Sequence, residues 1–455
     1  MLSKSNAINT IFALASATGR SGVAVVRISG PLAMNTLAKL MAVQKKPKKI
    51  IPRRAIYSSF KDPITEEVLD NGLIIWFPGP NSFTGEDVVE LHIHGGPIVI
   101  SGILHALTKL DGLRMAEPGE FTRRAFENGK MDLTAAEGLA DLIDAETIAQ
   151  RRQSLRQLEG NLGQIYELWR QRLLEALSHT EAAIDFSDEE LPEDIEVAAF
   201  QKISALKREI TDHLMDNRCG EKLRDGALIT IIGPPNAGKS SLLNLLAKQD
   251  TAIVSEIAGT TRDVIQVDLS IGGYPVTLAD TAGLHDSSDT IEMEGMRRAR
   301  QKAKTSDIKL AVFDVKNWKN LDQTTIKLID SNTLVILNKC DHGPLKPPPF
   351  LNGDPVYMIS ILNGIGVDEL INVIIDRVAK IMDVGAAPAI TRARHRVALE
   401  DCLSALSRSL EASDLSYELA AEDLRLAARC LGRITGRVDV DDVLDFIFKN
   451  FCIGK

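Results

Sequence analysis

The sequence has no stretch of 18 continuous apolar residues, and its N-terminus lacks a cationic segment leading to an apolar core and a small-residue cleavage site. Neither a membrane-spanning helix nor a secretory leader is expected, and a cytoplasmic protein with no membrane partner follows. Cysteine is scarce: Cys219, Cys340, Cys402, Cys430 and Cys452 stand without metal-ligand spacing, which suits a reducing compartment. A global basic field is absent too. Lys+Arg 53 against Asp+Glu 62 leaves a formal charge of −9, so any contact with RNA must use local patches. Lys45-Lys46-Pro47-Lys48-Lys49 with Arg53-Arg54 is one such patch, or a solvated basic loop. The chain has 455 residues, too many for one ordinary domain, and two or three are expected.

Against these absences stands one dense stretch, Gly233-Pro234-Pro235-Asn236-Ala237-Gly238-Lys239-Ser240. The apolar run Leu228-Ile229-Thr230-Ile231-Ile232 before it reads as a buried strand, and Ser241 to Leu246 reads as the start of a helix. Strand, loop and helix in that order make a phosphate cradle, in which backbone N–H groups such as those of Ala237 and Gly238 face the phosphates. Lys239 would reach the β- and γ-phosphates, and Ser240 would give its hydroxyl to Mg²⁺. A second strand, Val276 to Ala279, runs into Asp280-Thr281-Ala282-Gly283. Asp280 can hold a Mg²⁺-bound water there, and the Gly283 N–H can meet the γ-phosphate. A third strand, Leu334 to Leu337, ends in Asn338-Lys339-Cys340-Asp341, where Asp341 can accept from N1–H and the exocyclic amine of guanine. Adenine would leave that carboxylate badly paired, so GTP is the expected nucleotide. Ser360, after the strand Val356 to Ile359, fits the last base-contacting loop, although Ile361 stands where such GTPases usually carry Ala.

Between the phosphate signatures lies Gly259-Thr260-Thr261-Arg262-Asp263, a switch in which Thr261, with Thr260 as the close alternative, can close over Mg²⁺. The residue after Gly283 is Leu284, where small signalling GTPases usually place Gln; leucine cannot hold water. Glu292 is the nearest strong candidate for that task, with Asp286, Asp289 and Glu294 as competitors. Charge on the transferring group can be neutralised by an arginine or by a monovalent cation, for which Asn236 offers a carbonyl oxygen.

Residues 1–120 mix short strands (Ile11 to Leu14, Val23 to Ile28, Leu73 to Phe77, Val88 to His94) with turns, an α+β pattern. His92 and His94 share a strand face and fit a structural role better than a metal site. Helical spacing follows over 121–220, broken by the acidic turn Asp185 to Asp194. An α/β nucleotide domain spans 221–384, and helices return over 385–455, from Arg392 to Leu410 and from Tyr417 to Leu431. Two isolated helical halves would each leave an apolar face, so the nucleotide domain is expected to be inserted in one discontinuous helical domain. Leu444, Phe448 and Phe451 anchor the last helix and leave Cys452, an ordinary thiol or a reactive one, near a mobile end.

Taken together, the phosphate loop with Asn236, Gly259 to Asp263, Asp280 to Leu284 with Glu292, Asn128-Gly129-Lys130-Met131-Asp132-Leu133, Glu117 to Phe126 and the terminal Cys452-Ile453-Gly454-Lys455 resemble the tRNA-modification GTPase family called MnmE or TrmE. That resemblance covers essentially the whole chain. It implies an α+β N-terminal domain that binds a tetrahydrofolate derivative and mediates homodimerisation, a discontinuous helical domain, and an inserted Ras-like P-loop GTPase domain that pairs when K⁺ is bound. It also implies partnership with the FAD protein MnmG, and installation of an aminomethyl or carboxymethylaminomethyl group at C5 of the tRNA wobble uridine. Asn236 would then be a K⁺ ligand, Ser255 to Ala258, leading into Gly259-Thr260-Thr261, would form the loop that closes over that ion, Glu292 would orient the hydrolytic water through intervening water, and Cys452 would lie near the folate and the modification site. Arg20, Asn128 and Lys130 are candidate folate contacts, with support of the domain junction as the competing role. Pro234, where many relatives carry Arg, and Ser21, inside an expected Gly-Arg-Gly-Gly turn, depart from the family pattern. A regulatory or ribosome-assembly G protein without folate chemistry is the alternative function.

Overall fold

The computed structural model describes residues 9–41, 50–185, 193–249, 266–280, 301–342, 350–351, 354–385, 388–412, 416–438, 441–449, 451 and 453–454. Two compact units emerge, one of residues Met1–Ala140 with Gly432–Lys455, the other of Asp141–Leu431. Among the described residues no helix is long and apolar enough to cross a membrane.

Among the described residues the first unit is built on six strands: β1 (Thr10–Leu14), β2 (Ser21–Ser29), β3 (Ile56–Lys61), β4 (Val68–Phe77), β5 (Val88–Gly95) and β6 (Leu113–Met115), in the order β3-β4-β5-β2-β1-β6. Side chains alternate across a strand, so Ala24, Val26 and Ile28 share a face with Phe12, Val89, Leu91 and Ile93. The helices Ala33–Leu40 and Pro97–Thr108 bury Leu37, Leu40, Ile103 and Leu107 against that face. The opposite face of β1 presents Ile11 and Ala13 to Phe121.

The C-terminal segment completes this unit. In the helix Asp441–Lys449, Leu444 and Phe448 pack with Phe451, Leu133 and Ala136. Beyond it the chain is docked, where the sequence suggested a mobile end: Ile453 bridges Pro118, and Gly454, with φ +97°, lies so close to Leu14 that a Cβ would stand 2.0 Å from that residue's carbonyl oxygen. Only glycine accepts both that conformation and that approach. Cys452 itself lies outside the described residues.

In the second unit the described residues of the α/β part carry seven strands, β7 (Ala227–Ile232), β8 (Gln266–Ile271), β9 (Tyr274–Asp280), β10 (Ile308–Asp314), β11 (Thr333–Asn338), β12 (Phe350–Leu351) and β13 (Asp354–Met358). Their order is β12-β13-β11-β10-β7-β9-β8; the five inner strands run parallel and both edges antiparallel. Parallel strands are covered on both faces, which explains their near-continuous apolar runs. Ile229, Ile231, Leu310, Val312 and Ile336 fill one layer, and Ile232, Ala311, Phe313, Val335 and Leu337 the other.

The helices Asn161–Asp185 and Glu193–Leu214 precede the α/β part in the chain, and Ala393–Ala412 and Tyr417–Thr435 follow it. Leu162, Tyr166, Trp169, Leu173 and Leu177 recur at helical spacing on the buried face of the first. Tyr166 and Trp169 pack around His213, whose Nε2 lies 3.3 Å from the Tyr166 hydroxyl; burial lowers its pKa. Where the chain passes into and out of the α/β part, one carboxylate meets both segments. Asp141 accepts from Arg224 Nε (3.0 Å), just before β7, and from Arg392 (2.6 Å), after the last α/β helix. The helix Ile148–Leu158, started by the Thr147–Gln150 capping box, adds Gln150 Nε2 to Arg224 O (3.0 Å) and Gln157 Oε1 from Thr391 Oγ1 (2.9 Å).

Candidate functional site

The carboxyl ends of β7, β10 and β11 bring the sequence motifs together. After β7 the chain turns through Gly233 (φ +150°), where a Cβ would stand 2.2 Å from Val312 O, and Asn236 (φ +59°) to Gly238 (φ +103°), before the helix Lys239–Gln249. At Gly233 and Gly238 a Cβ would stand too close to its neighbours for any side chain to fit. Lys239, 7% exposed, bends over this loop and donates from Nζ to Gly233 O and Pro234 O, each at 2.9 Å. Ser240 is exposed on the first turn of the helix, beside those N–H groups.

The Asn338-Lys339 pair is tied to the glycine-rich loop atom by atom. Asn338, 3% exposed, donates from Nδ2 to Ala237 O (2.9 Å), while its Oδ1 accepts from Lys339 N (2.8 Å) and Ile361 N (3.3 Å). Lys339, itself at φ +66°, donates from Nζ to Asn236 O (2.6 Å) and to Asp314 Oδ2 (2.8 Å). Asp341 stands beyond them with its carboxyl held below the usual carboxylate range, first by the hydrogen bond from the buried Ser360 hydroxyl. An ionised, pre-oriented carboxylate is what two N–H donors of a base require. Ile361 takes part through its backbone N–H alone, so the residue type there leaves the contact intact.

Asp280 closes β9 opposite Ile231, which places its backbone at the same sheet edge. Thr260, Thr261, Gly283 and Glu292 lie outside the described residues, as does Cys452. Asp314 was not singled out by sequence reasoning. The signal was present, a carboxylate ending an apolar run as in β9, but no glycine or asparagine motif follows it.

In the first unit Asn128 donates from Nδ2 to Thr84 O (2.6 Å) and Lys130 from Nζ to Pro80 O (2.9 Å), so both hold the loop between β4 and β5. Arg20 is exposed in the connection from β1 to β2. Behind that loop is a polar network: Ser29 Oγ meets Thr84 Oγ1 (2.7 Å) and Glu86 (2.8 Å), and Arg124 donates to Glu86 (2.9 Å). His94 Nδ1 pairs with Asp70 (2.8 Å), and among the described residues no group of three His, Cys, Asp or Glu side chains is placed to hold a metal.

Two family models match: "GTP-binding protein TrmE N-terminus" over residues 10–130 and "MnmE helical domain" over residues 133–452. The chain is 54% identical to a tRNA modification GTPase MnmE of Parvibaculum lavamentivorans, covering 98% of this chain and 100% of that one. It is also 54% identical to the protein of that name from Paramagnetospirillum magneticum, over 98% of this chain and 99% of the other. A mitochondrial 5-taurinomethyluridine-[tRNA] synthase subunit of Danio rerio is 46% identical, over 98% and 93% respectively. With both family models and full-length relatives agreeing, the chain belongs to the MnmE (TrmE) family of tRNA-modification GTPases.

Proposed function

We propose that this protein hydrolyses GTP as the motor component of the complex that installs an aminomethyl or carboxymethylaminomethyl group at C5 of the tRNA wobble uridine. The observation that carries the reading is the contact set by which Asn338 and Lys339 hold the carbonyls of Ala237 and Asn236, so that base recognition and phosphate binding share one rigid edge. Full-length likeness to tRNA modification GTPases supplies the substrate class.

In this reading 221–384 is a Ras-like GTPase domain inserted between two helical segments, 121–220 and 385–455, and 1–120 is a folate-binding-like domain that also makes a homodimer. Ala237 and Gly238 N–H groups and Lys239 bind the phosphates; Asn338, Lys339, Asp341 and Ser360 hold guanine. Ser240, Thr261 and the Asp280 side would hold Mg²⁺, which neutralises the charge of the transferring group. Thr260 is the alternative to Thr261, and Gly283 senses the γ-phosphate. Glu292 orients water in place of the glutamine that Leu284 excludes. The tightly turned Asn236 fits a K⁺ ligand, because its backbone is fixed by Lys339 and its side chain is left to face outward. Cys452 would serve the modification step near a tetrahydrofolate derivative, with Arg20 as its polar contact and with Asn128 and Lys130 shaping the pocket through the 80–84 loop. The flavin chemistry belongs to MnmG, and hydrolysis drives the domain movement that admits tRNA.

GTP hydrolysis in K⁺ and in Na⁺ at equal ionic strength tests the cation assignment. Strong stimulation by K⁺, about tenfold or more, should vanish in Asn236→Ala. Equal rates in both salts would remove Asn236 from ion binding.

A further inference from the structure

Asp314 is the residue on which the tie between the two nucleotide loops converges. It ends β10 in register with Asn338 at the end of β11, so the parallel strands deliver the carboxylate and the Asn338-Lys339 pair to the same level. Both its oxygens are committed. Oδ1 accepts from Lys316 N (2.9 Å) and caps the short turn Val315–Asn317; Oδ2 receives the Lys339 ammonium at 2.8 Å. The pair is largely shielded, with the two side chains 33% and 17% exposed.

A trans peptide points its C=O and the following N–H in opposite directions. When Lys339 fixes the Asn236 carbonyl, it therefore turns the Ala237 N–H toward the opposite side. Asn338 does the same for the Gly238 N–H by holding Ala237 O. The asparagine is short, buried and held at both ends, whereas lysine is a flexible stem carrying a point charge. Something must fix the ammonium, and Asp314 is the anion in contact with it.

We propose that Asp314 is a positioning residue for guanine nucleotide: by holding Lys339 it presets the phosphate-loop N–H groups before GTP arrives. Its contribution is preorganisation, so it appears in nucleotide retention and KM and leaves the bond-breaking step unchanged.

The test is stopped-flow release of a fluorescent GDP analogue, with steady-state GTP hydrolysis, on the full chain carrying Asp314→Asn. Asparagine keeps the oxygen that caps the turn and removes the charge. The expected result is release about tenfold faster and KM for GTP raised to a similar extent, with kcat within twofold of the parent and an unchanged melting temperature. Asp314→Ser, which also offers a capping oxygen without charge, should match it, and Asp314→Glu should lie nearer the parent. Release and KM within twofold of the parent in both uncharged variants, or slower release, would overturn the assignment and leave the GTPase reading standing. A shift in melting temperature alone, with unchanged KM, would mark Asp314 as structural and overturn it as well.

Discussion

Replacing Asp341 by Asn is expected to weaken GDP and GTP binding about a thousandfold, measured by titration of a fluorescent guanine nucleotide. The carboxylate accepts only, and the Ser360 hydroxyl bond keeps it ionised and aimed. Asparagine retains one acceptor but turns an N–H toward the base, so a guanine N–H loses its partner and meets a donor. Discrimination of this kind is large because the mismatched groups stay buried and unpaired. Xanthine carries a carbonyl where guanine has its amine, so xanthosine triphosphate should bind the variant better than GTP does. Retention of GTP affinity within tenfold would take Asp341 out of base recognition.

The second large effect is expected in the first unit, at the terminal turn. Gly454→Ala puts a methyl group 2.0 Å from Leu14 O at a φ of +97°, and neither the strand nor the terminal turn can yield cheaply. The tail should leave its seat beside Pro118, taking Cys452 with it. Wobble-uridine modification should then fall about a hundredfold, the scale of a misplaced reacting group, while GTP hydrolysis stays within twofold. Modification at the parent rate would show that the docked tail has no part in the chemistry.

The local geometry of the candidate nucleotide loop was legible from sequence, because a glycine-rich turn between an apolar run and a helix can fold in few ways. The parallel strands were legible for the same reason, as short buried runs ending in polar motifs. Ala393–Ala412 and Tyr417–Thr435 follow the expected helices closely, since their apolar spacing is regular. What sequence did not carry were relations between distant segments. Asp314 acquires its role from the register of β10 on β11, which no local pattern states. Gly454 reads as a terminal residue until Leu14 is found against it. Asp141 meets Arg224 and Arg392, 83 and 251 residues away, one before and one after the α/β part in the chain. Asn128 and Lys130 were read as folate contacts or as junction support; their side chains hold the loop at Pro80 and Thr84.

In the proposed function, GTP hydrolysis in this chain powers a tRNA modification carried out with a flavin-dependent partner. The most direct measurement is nucleoside analysis of tRNA after incubation with the full chain, MnmG, its flavin and a folate one-carbon donor, supplied with either GTP or a non-hydrolysable analogue. C5-modified wobble uridine is expected with GTP and almost none with the analogue; equal modification with both would remove hydrolysis from the modification step.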